Sequence, residues 1–445
     1  MEVRVFNSLT DRIETFVPLK PREVSIYVCG PTVYSDPHIG NLRPVVVFDV
    51  LRRMFISLGY KVTFVSNFTD VDDKIINRAI SEKKSEEEIS NHYIQAFQKV
   101  SEAVHSLAPD VAPRVTEYIP DIIRYIEELI DKNAAYVIDG DVYFRVSSIA
   151  DYGELSNINI DDLISGARIE ENSKKESPLD FVLWKKTTIG INWESRWSKG
   201  RPGWHTECCV MINSLFSDGK IDIHGGGFDL KFPHHENEIA QSKAHNNNSI
   251  ATYWMHNGFI NFGEDKMSKS LGNVILAKDI IEKYNGNLIR LVLLGTYYRS
   301  PLTFTFEVME TAKIELEKIE NSYRQLAVSL QLANFDLSEK QEPDISQFME
   351  HLANDLNTPN ALTELFAIIK KANGALRQSS LDYLVLRKLF SSIGAMLNIL
   401  GIFVDYPRLS KEDKHMYAEY LKYKNDKNYA ESDRLRKILM AKHIL

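Results

Sequence analysis

The amino-acid sequence predicts an α/β fold: a parallel sheet with an insertion between its two halves, followed by a helical C-terminal region. Three observations predict it. An apolar run at 24–28, a helical pattern over about 40–58 and a second apolar run at 60–65 form a strand–helix–strand unit, which at this spacing is typical of a parallel sheet. The pattern changes between about 118 and 200, and beyond about 276 it is almost wholly helical.

The remaining elements follow in chain order. The first predicted strand ends at the turn 29–31, and Gly59 ends the first helix. The sequence then predicts a helix over 70–106, a strand at 142–146, a loop at 170–177, a strand at 221–224 and a helix that begins near His234. Pro233 fits the start of that last helix, because proline is favoured at the first helical position.

Composition indicates a globular protein. The 445 residues are 44% hydrophobic and 26% charged, which is ordinary for a soluble chain. We expect no membrane span, because Arg290 interrupts the densest apolar stretch at 288–294. The first residues lack a secretory signal, so a cytoplasmic location is expected. Three cysteines exclude a disulfide framework, and the net charge of −8 is a weak argument against a nucleic-acid binder.

A phosphate-binding turn is predicted between the first strand and its helix, at His38-Ile39-Gly40-Asn41. A helix N-terminus at the end of a parallel strand offers free N–H groups and a favourable dipole to phosphate. Gly40 permits a close approach of the ligand to the backbone, and His38 can donate a hydrogen bond. A histidine in such a loop is also often incidental, so this segment alone does not decide the function.

The segment Lys266-Met267-Ser268-Lys269-Ser270 combines two lysines with two serines. Such a cationic loop can stabilise the charge that develops during transfer at the α-phosphorus of a polyphosphate. Alone, it would be interpreted as a solvated basic loop. Together with the His38 turn and the strand–helix–strand unit, it predicts an ATP-using enzyme that forms an acyl-adenylate.

Four residues are candidate metal ligands: Cys29, Cys208, His234 and Glu238. Positions 234 and 238 share one helix face, whereas 235 and 236 should point elsewhere, and Cys29 ends the first strand. Sulfur, nitrogen and oxygen donors of this kind suit zinc. A buried cysteine pair beside a surface helix explains the same residues equally well. A protease-type zinc helix is excluded, because Ile239 stands where its second histidine is required.

His224 precedes three consecutive glycines after a predicted strand. This turn could form a bed for the base or ribose of a nucleotide. An ordinary glycine-rich turn is an equal alternative.

Together these segments resemble the class I aminoacyl-tRNA synthetases and, within them, the cysteinyl-tRNA synthetase family. The resemblance runs from Phe6 to the C-terminal end. Its segments, in order, are YVCGPTVY at 27–34, NFTDVDDK at 67–74, PLDF at 178–181, GWHTEC at 203–208, HGGGFD at 224–229, FPHHENE at 232–238, WMHNG at 254–258, the lysine–serine segment and NTPNAL at 357–362.

The resemblance implies a Rossmann-type catalytic domain and a two-step reaction. Cysteine and ATP, with Mg²⁺, give cysteinyl-adenylate and pyrophosphate, and the cysteine then passes to the terminal ribose of tRNA(Cys). The four candidate ligands would hold one Zn²⁺ per subunit, which would recognise the substrate thiolate; serine and alanine supply no soft anionic sulfur. The family is usually monomeric.

The resemblance also implies the roles of individual residues. The implied cysteine-binding residues are Gly30, Thr69, Trp204 and Asp229. The implied ATP-binding residues are His38, Gly40, Asn41, His224, Lys266 and Lys269, of which His38, Lys266 and Lys269 are the implied catalytic residues.

The implied division of the chain has six parts. Residues 1–117 and 201–250 form the two halves of the catalytic domain, 118–200 an inserted connective domain for the acceptor end, 251–315 a stem-contact domain with the lysine–serine loop, 316–405 a helical bundle and 406–445 an anticodon-binding region.

Two features depart from the family pattern. Asn41 replaces the usual second histidine of the phosphate-binding motif; asparagine can still donate a hydrogen bond, but it carries no cationic charge. The sequence stops at Leu445, where the family continues with a short tail that reaches the anticodon. Lysines and arginines exceed acidic residues near this end, which fits phosphate contact, although anticodon discrimination is expected to be incomplete if nothing follows.

Two alternatives remain. A related ligase transfers cysteine from the same adenylate to an amino-sugar, but it lacks a long C-terminal region such as 357–445. A non-catalytic zinc-containing RNA-binding protein is the other alternative. The intact segment 266–270 argues against it.

Overall fold

The computed structural model describes residues 1–158, 175–262, 265–266, 275–339 and 341–445. In these ranges the strands are β1 Arg4–Asn7, β2 Arg12–Thr15, β3 Glu23–Val28, β4 Lys61–Ser66, β5 Ala135–Ile138, β6 Asp141–Phe144, β7 Phe181–Lys186, β8 Trp193–Glu194, β9 Lys199–Pro202, β10 Ile221–Gly227, β11 Ala251–Asn257, β12 Ile260–Phe262, β13 Asp265–Lys266 and β14 Leu302–Phe304. The α-helices are α1 Ile39–Ser57, α2 Asp73–Glu82, α3 Glu86–Ala103, α4 Ile119–Asp131, α5 Glu207–Leu215, α6 Glu236–Asn246, α7 Ala277–Tyr284, α8 Gly286–Leu294, α9 Phe306–Leu332, α10 Ser346–Ala353, α11 Thr358–Leu376, α12 Tyr383–Leu400, α13 Lys411–Asn425 and α14 Tyr429–Ala441.

The chain divides into two compact units. The first comprises Met1–Lys283 and Tyr298–Thr303, and the second comprises Tyr284–Tyr297 and Phe304–Leu445. The six-part division expected from the sequence stays a prediction.

A parallel sheet is the framework of the first unit. Its strand order is β11-β10-β3-β4, and all three pairings are parallel. Ile26 and Ile223 are fully buried partners in adjacent strands, and α1 packs against the sheet. The predicted α/β class is therefore confirmed. The chain reverses its winding direction between β3 and β10, and ligands of such sheets lie beyond the carboxyl ends of the strands at this point.

The helical stretch predicted over 70–106 is two helices rather than one. Lys83 ends α2 in the left-handed conformation at φ +54°. Ser85 then starts α3, since its side chain accepts from the N–H of Glu88 while the Glu88 carboxylate accepts from the N–H of Ser85. This reciprocal capping satisfies two donors that a new helix start leaves unpaired, so the local sequence favours a break over a continuous helix.

The insertion contains an antiparallel sheet in the order β5-β6-β7-β9-β8. Buried Asp180 fastens it, accepting from the Tyr136 hydroxyl at 2.6 Å and from the Val146 N–H at 2.9 Å. Trp184 of this sheet and Trp254 of the parallel sheet belong to the same apolar core. The insertion is thus packed into the first unit rather than suspended from it.

The second unit is helical in its described residues. Fully buried Arg290 of α8 donates to the carbonyl oxygen of Leu400 at the end of α12. Gly401 adopts φ +68°, and a Cβ there would lie 2.3 Å from the Arg290 guanidinium carbon. A cation at a helix C-terminus is favoured by the helix dipole, and glycine is needed to admit this one.

One helix in the described ranges, α12, is long and apolar enough to cross a membrane by length and composition alone. Its Phe390 ring stacks on Tyr323 of α9 with ring centroids 4.6 Å apart, and Leu386 and Ile393 are fully buried. Core helices of globular domains meet the same criterion, so α12 is weak evidence for a membrane.

The last two helices form a hairpin with its own apolar cluster, which includes Leu435 and Leu439. Asp413 joins its ends: the carboxylate accepts from Lys442 Nζ at 2.5 Å and from the Ser410 hydroxyl at 2.8 Å. The bond from Lys442 and those from Ser410 lower the pKa of Asp413 from 3.8 to about 2.

This lowered pKa predicts a pH dependence of stability. A carboxyl group with a depressed folded-state pKa stabilises the fold fully above its ordinary pKa, and the stabilisation is lost as the pH falls toward the folded-state value. The difference in unfolding free energy between wild type and Asp413→Asn should therefore shrink between about pH 4 and pH 2. Urea unfolding across this range measures it, and Lys442→Met should show the same loss. A constant difference would contradict the assignment.

Candidate functional site

Three chain segments bring Cys29, Cys208, His234 and Glu238 together at the carboxyl end of the parallel sheet. Their donor atoms all lie within 4.8 Å of one another. The two sulfur atoms are 3.7 Å apart, and Cys208 Sγ lies 3.8 Å from His234 Nε2. His234 Nε2 lies 2.9 Å from Glu238 Oε1. Two sulfurs, one imidazole nitrogen and one carboxylate oxygen at these spacings can hold a metal ion.

The fold explains this convergence. Cys29 directly follows β3, and its N–H donates to the carbonyl oxygen of Gly225 in β10 at 3.1 Å. Cys208 lies in the first turn of α5, and Glu238 lies in the first turn of α6. Strand ends and helix starts meet at this edge of a parallel sheet, so residues separated by 179 positions come within contact distance.

Electrostatics within the cluster favour the charged forms of Glu238, His234 and Cys208, whereas burial and Cys208 raise the pKa of Cys29 well above its usual range. Burial alone would raise the pKa of Glu238, but His224 and His234 outweigh it and hold that pKa well below its usual range. Burial would likewise lower the pKa of His234, but Glu238 and Cys208 raise it to about 10. The hydrogen bond with Cys29 lowers the pKa of Cys208 to about 7. The Glu238 carboxylate and the Cys208 thiolate are in the forms that ligate metals, whereas His234 and Cys29 must each release a proton when a metal binds.

His235 was expected to point away from the cluster, and the structure contradicts this. Its Nε2 lies 3.3 Å from Cys29 Sγ, and its Nδ1 lies 2.8 Å from His256 Nε2. The backbone of His235 is helical at φ −69° and ψ −33°, but the cluster offers a sulfur to each ring, Cys208 to His234 and Cys29 to His235. Adjacent histidines can therefore face the same site.

His224, expected at the nucleotide, lies fully buried beneath the cluster. Its Nδ1 faces the carbonyl oxygen of Tyr27 at 3.2 Å and its Nε2 lies 2.6 Å from Glu238 Oε2. Cys29, His224, His235 and Glu238 form a second possible donor set. The structure thus makes His224 a support for the Glu238 carboxylate.

The glycines after His224 have packing reasons. A Cβ on Gly225 would lie 2.4 Å from the Phe48 ring of α1, and one on Gly226 would lie 2.8 Å from Leu230. These contacts explain two of the three glycines without a nucleotide.

Three of the expected cysteine-binding residues surround the cluster. A Cβ on Gly30 would lie 1.5 Å from the Asn67 carbonyl oxygen, while the Gly30 N–H donates to Asn67 Oδ1 at 2.9 Å. The hydroxyl of buried Thr69 donates a hydrogen bond to Glu207 at 2.6 Å.

The Trp204 ring stacks on the His234 ring with ring centroids 4.3 Å apart. Trp204 and Glu207 also line a cleft of about 700 Å³, which provides room for a substrate beside the cluster.

The fourth expected residue, Asp229, is exposed in a short helical turn, Phe228–Leu230. A Cβ on Gly227 would lie 2.5 Å from Asp229 Oδ1. The structure therefore places this carboxylate over the end of β10.

The predicted phosphate-binding turn is the start of α1. His38 is the residue that precedes the helix, and its N–H donates to Asn41 Oδ1 at 2.9 Å. A Cβ on Gly40 would lie 2.8 Å from His38 Nδ1, so glycine leaves room for this ring. Asn41 thus caps the helix by accepting this hydrogen bond with its carboxamide oxygen. A histidine ring has no oxygen that could accept the same bond.

Of the lysine–serine segment, only the backbone of Lys266 is described, paired with Asn261 between β13 and β12. Lys269 lies outside the described residues. Downstream, the N–H of Ile39 donates to the carbonyl oxygen of Ile275 at 3.0 Å. The chain on the downstream side of this segment is therefore bonded to the phosphate-binding turn.

Solved structures share the fold of this chain. Mycobacterium tuberculosis methionyl-tRNA synthetase in complex with methionyl-adenylate aligns at TM-score 0.61 and 13% identity, over 85% of this chain and 89% of that one. Thermus thermophilus arginyl-tRNA synthetase aligns at TM-score 0.54 and 12% identity, over 89% of this chain and 84% of that one. A family model for the class I (C) tRNA synthetase catalytic domain matches residues 15–314, and a DALR domain model matches 347–404. Fold and site define a class I aminoacyl-tRNA synthetase.

Curated relatives narrow the class. Cysteine–tRNA ligases of Halalkalibacterium halodurans and Anoxybacillus flavithermus are 44% and 42% identical over 453 residues, covering 100% of this chain and 97% of each relative. That of Staphylococcus epidermidis is 43% identical over 458 residues. The chain belongs to the cysteine–tRNA ligase family.

The close approach of Gly30 to the Asn67 backbone predicts the effect of a substitution at Gly30. Gly30→Ala should displace the Asn67 backbone and destabilise the protein by about 1–3 kcal/mol, as overpacking does. Gly374→Ala is the control: it lies within α11 with nothing within 4 Å of its would-be Cβ, and it should stabilise by about 0.5–1 kcal/mol. Urea unfolding measures both changes. A Gly30→Ala protein as stable as the wild type would show that the two backbones can separate freely.

Proposed function

We propose that this chain activates L-cysteine with ATP and Mg²⁺ to cysteinyl-adenylate, and then transfers the cysteine to tRNA(Cys). The observation that carries the proposal is the convergence of Cys29, Cys208, His234 and Glu238 beside a cleft at the carboxyl end of the sheet. Membership of the cysteine–tRNA ligase family supports the same substrates.

Zinc is the ion that this donor set fits best. Two thiolates, an imidazole and a carboxylate are borderline-soft ligands that suit Zn²⁺ and disfavour Mg²⁺ or Ca²⁺. When bound, Zn²⁺ supplies a soft Lewis acid that accepts the thiolate of cysteine. His224 orients the Glu238 carboxylate from beneath, because such outer contacts fix the geometry of ligands.

The chain's own residues would complete the cysteine pocket. Trp204 covers the His234 ring, Thr69 and Gly30 line the same edge of the sheet, and Asp229 offers a carboxylate to the substrate ammonium group. Serine lacks the soft sulfur that this pocket is built to bind, so binding alone can discriminate strongly, as a site built around one polar group of its substrate does.

Adenylate formation would take place at the start of α1. The substrate carboxylate attacks the α-phosphorus of ATP, the bond to the β-phosphate oxygen breaks, and pyrophosphate leaves with both electrons. His38, Gly40 and the helix N-terminus would bind the phosphates, with Asn41 holding the turn. Lys266 and Lys269 would stabilise the charge that develops. In the second step, a hydroxyl of the terminal ribose attacks the cysteinyl carbonyl carbon and AMP leaves.

The remaining parts would serve the tRNA. The insertion at 118–200 would receive the acceptor end, 251–315 would contact the stem, 316–405 would form the helical bundle and 406–445 would approach the anticodon. The parts 1–117 and 201–250 complete the catalytic domain. The protein would act as a cytoplasmic monomer with one zinc ion per subunit.

Cysteine-dependent exchange of labelled pyrophosphate into ATP tests the first step. We expect exchange with cysteine and none with serine, and cysteine attached to added tRNA(Cys) in the second step. Absence of exchange at saturating cysteine would refute the proposal. Exchange without tRNA charging, but with cysteine attached to an amino-sugar, would favour the alternative ligase.

The two adjacent cysteines provide a matched test of the metal ligands. Cys208→Ser should lose bound zinc, because serine is a poor zinc ligand, and should lose exchange activity. Cys209→Ser should keep both, since Cys209 Sγ is directed at the carbonyl oxygens of Glu238 and His205, at 3.6 and 3.8 Å. Metal analysis of the purified variants gives the answer. Equal zinc loss in both would mean that the ligand assignment is wrong.

A further inference from the structure

Arg43 is a fully buried cation near the start of α1. Its Nη1 donates to the carbonyl oxygen of Phe259 at 2.6 Å, and its Nη2 donates to that of Ser300, also at 2.6 Å. Burial lowers the pKa of Arg43 to about 10, so the guanidinium stays charged at neutral pH. A buried charge is costly unless such bonds compensate it, which suggests that Arg43 has a specific task.

One of the two carbonyl groups that Arg43 holds, that of Phe259, lies where the chain enters the lysine–serine segment. The other, that of Ser300, lies just before β14, the neighbour of β12 in the sheet. Phe259 directly precedes β12, which pairs with β13, and β13 ends at Lys266. The Phe259 carbonyl oxygen also accepts from the N–H of Leu302 at 2.9 Å. Arg43 therefore fixes the upstream side of the segment to α1.

The downstream side is tied to the same part of the chain. The N–H of Ala277 donates to the carbonyl oxygen of Pro37 at 2.9 Å, and Lys278 forms an ion pair with Asp36 at 2.7 Å. Residues 36–43 thus bond to the chain both before and after 263–274.

We propose that Arg43 is a positioning residue for adenylate formation, which sets β12 and β13, and with them Lys266 at the end of β13, against the helix N-terminus that binds the ATP phosphates. This inference rests on the proposed function. The transition state needs two groups aligned on one polyphosphate, the helix N-terminus and Lys266, and Arg43 holds the start of the strand pair that ends at Lys266 against α1. Alignment of this kind contributes to the rate of the chemical step rather than to binding of the amino acid.

Arg52 is a matched control on the same helix. It is also buried, and it also makes two bonds, from Nη1 to the Ala108 carbonyl oxygen and from Nη2 to Asp110, both at 2.7 Å. Its partners, Ala108 and Asp110, lie outside the lysine–serine segment and the chain on either side of it. A purely structural role would make the two arginines equivalent.

The test compares Arg43→Lys with Arg52→Lys in the full chain. Lysine keeps the charge but cannot reproduce the two-pronged geometry of arginine. We expect Arg43→Lys to lower the kcat of cysteine-dependent pyrophosphate exchange by about tenfold or more, with an unchanged KM for cysteine and unchanged zinc content. Arg52→Lys should keep the wild-type kcat, although its melting temperature should fall about as much as that of Arg43→Lys. Equal kcat values for the two variants would overturn the inference.

A double-mutant cycle identifies the route of the effect. If Arg43 acts through the strand pair that ends at Lys266, Arg43→Lys should lower kcat by a much smaller factor when Lys266 is already alanine, because coupled residues are non-additive. Independent, multiplying effects would overturn the inference. Asp36→Asn removes an ion pair whose side chains are partly exposed. It should lower kcat in the same direction as Arg43→Lys; an unchanged kcat would count against residues 36–43 holding the chain both before and after 263–274. Failure of the wild type to exchange would refute the proposed function instead.

Discussion

The Glu238 carboxylate joins the parts on which the site depends. It is fully buried, with Oε2 at 2.6 Å from His224 of β10 and Oε1 at 2.9 Å from His234 before α6. A buried carboxylate without such partners would be neutral or strongly destabilising. With them it stays ionised, orients one oxygen toward both cysteines, and ties the sheet to the helix. Removing either histidine would leave one oxygen of the buried carboxylate without its partner, so strand, helix and metal cluster depend on one another.

Much of this arrangement could be predicted from the sequence. The strand–helix–strand pattern at 24–65 predicts a parallel sheet, and its carboxyl edge is where Cys29 lies. The spacing of His234 and Glu238 predicts a shared helix face. The proximity of Cys208 could not be predicted from spacing, because two distant sulfurs come together only through tertiary packing; there the family resemblance supplied the ligand set.

Tertiary contacts decide what local periodicity cannot. His235 faces Cys29 while His234 faces Cys208, because a sulfur lies beside each ring at the start of the helix. The ATP-binding role that the resemblance implies for His224 stays a prediction; the contacts of Gly225 and Gly226 with Phe48 and Leu230 give the glycine-rich turn a packing reason of its own. Arg43 gave no signal, because a cation that bonds to backbone carbonyls leaves no sequence pattern in its partners. The contacts of buried polar groups are thus the part of this site that is hardest to predict from the sequence.

The central claim is that two protein sulfurs, one nitrogen and one oxygen hold zinc, and that the substrate adds its own sulfur. X-ray absorption at the zinc edge, recorded with and without cysteine, measures this directly. We expect two sulfur neighbours at about 2.3 Å in the free protein and three after cysteine is added, with serine leaving the spectrum unchanged. A sulfur count that stays at two with saturating cysteine would contradict recognition of the thiolate by the metal.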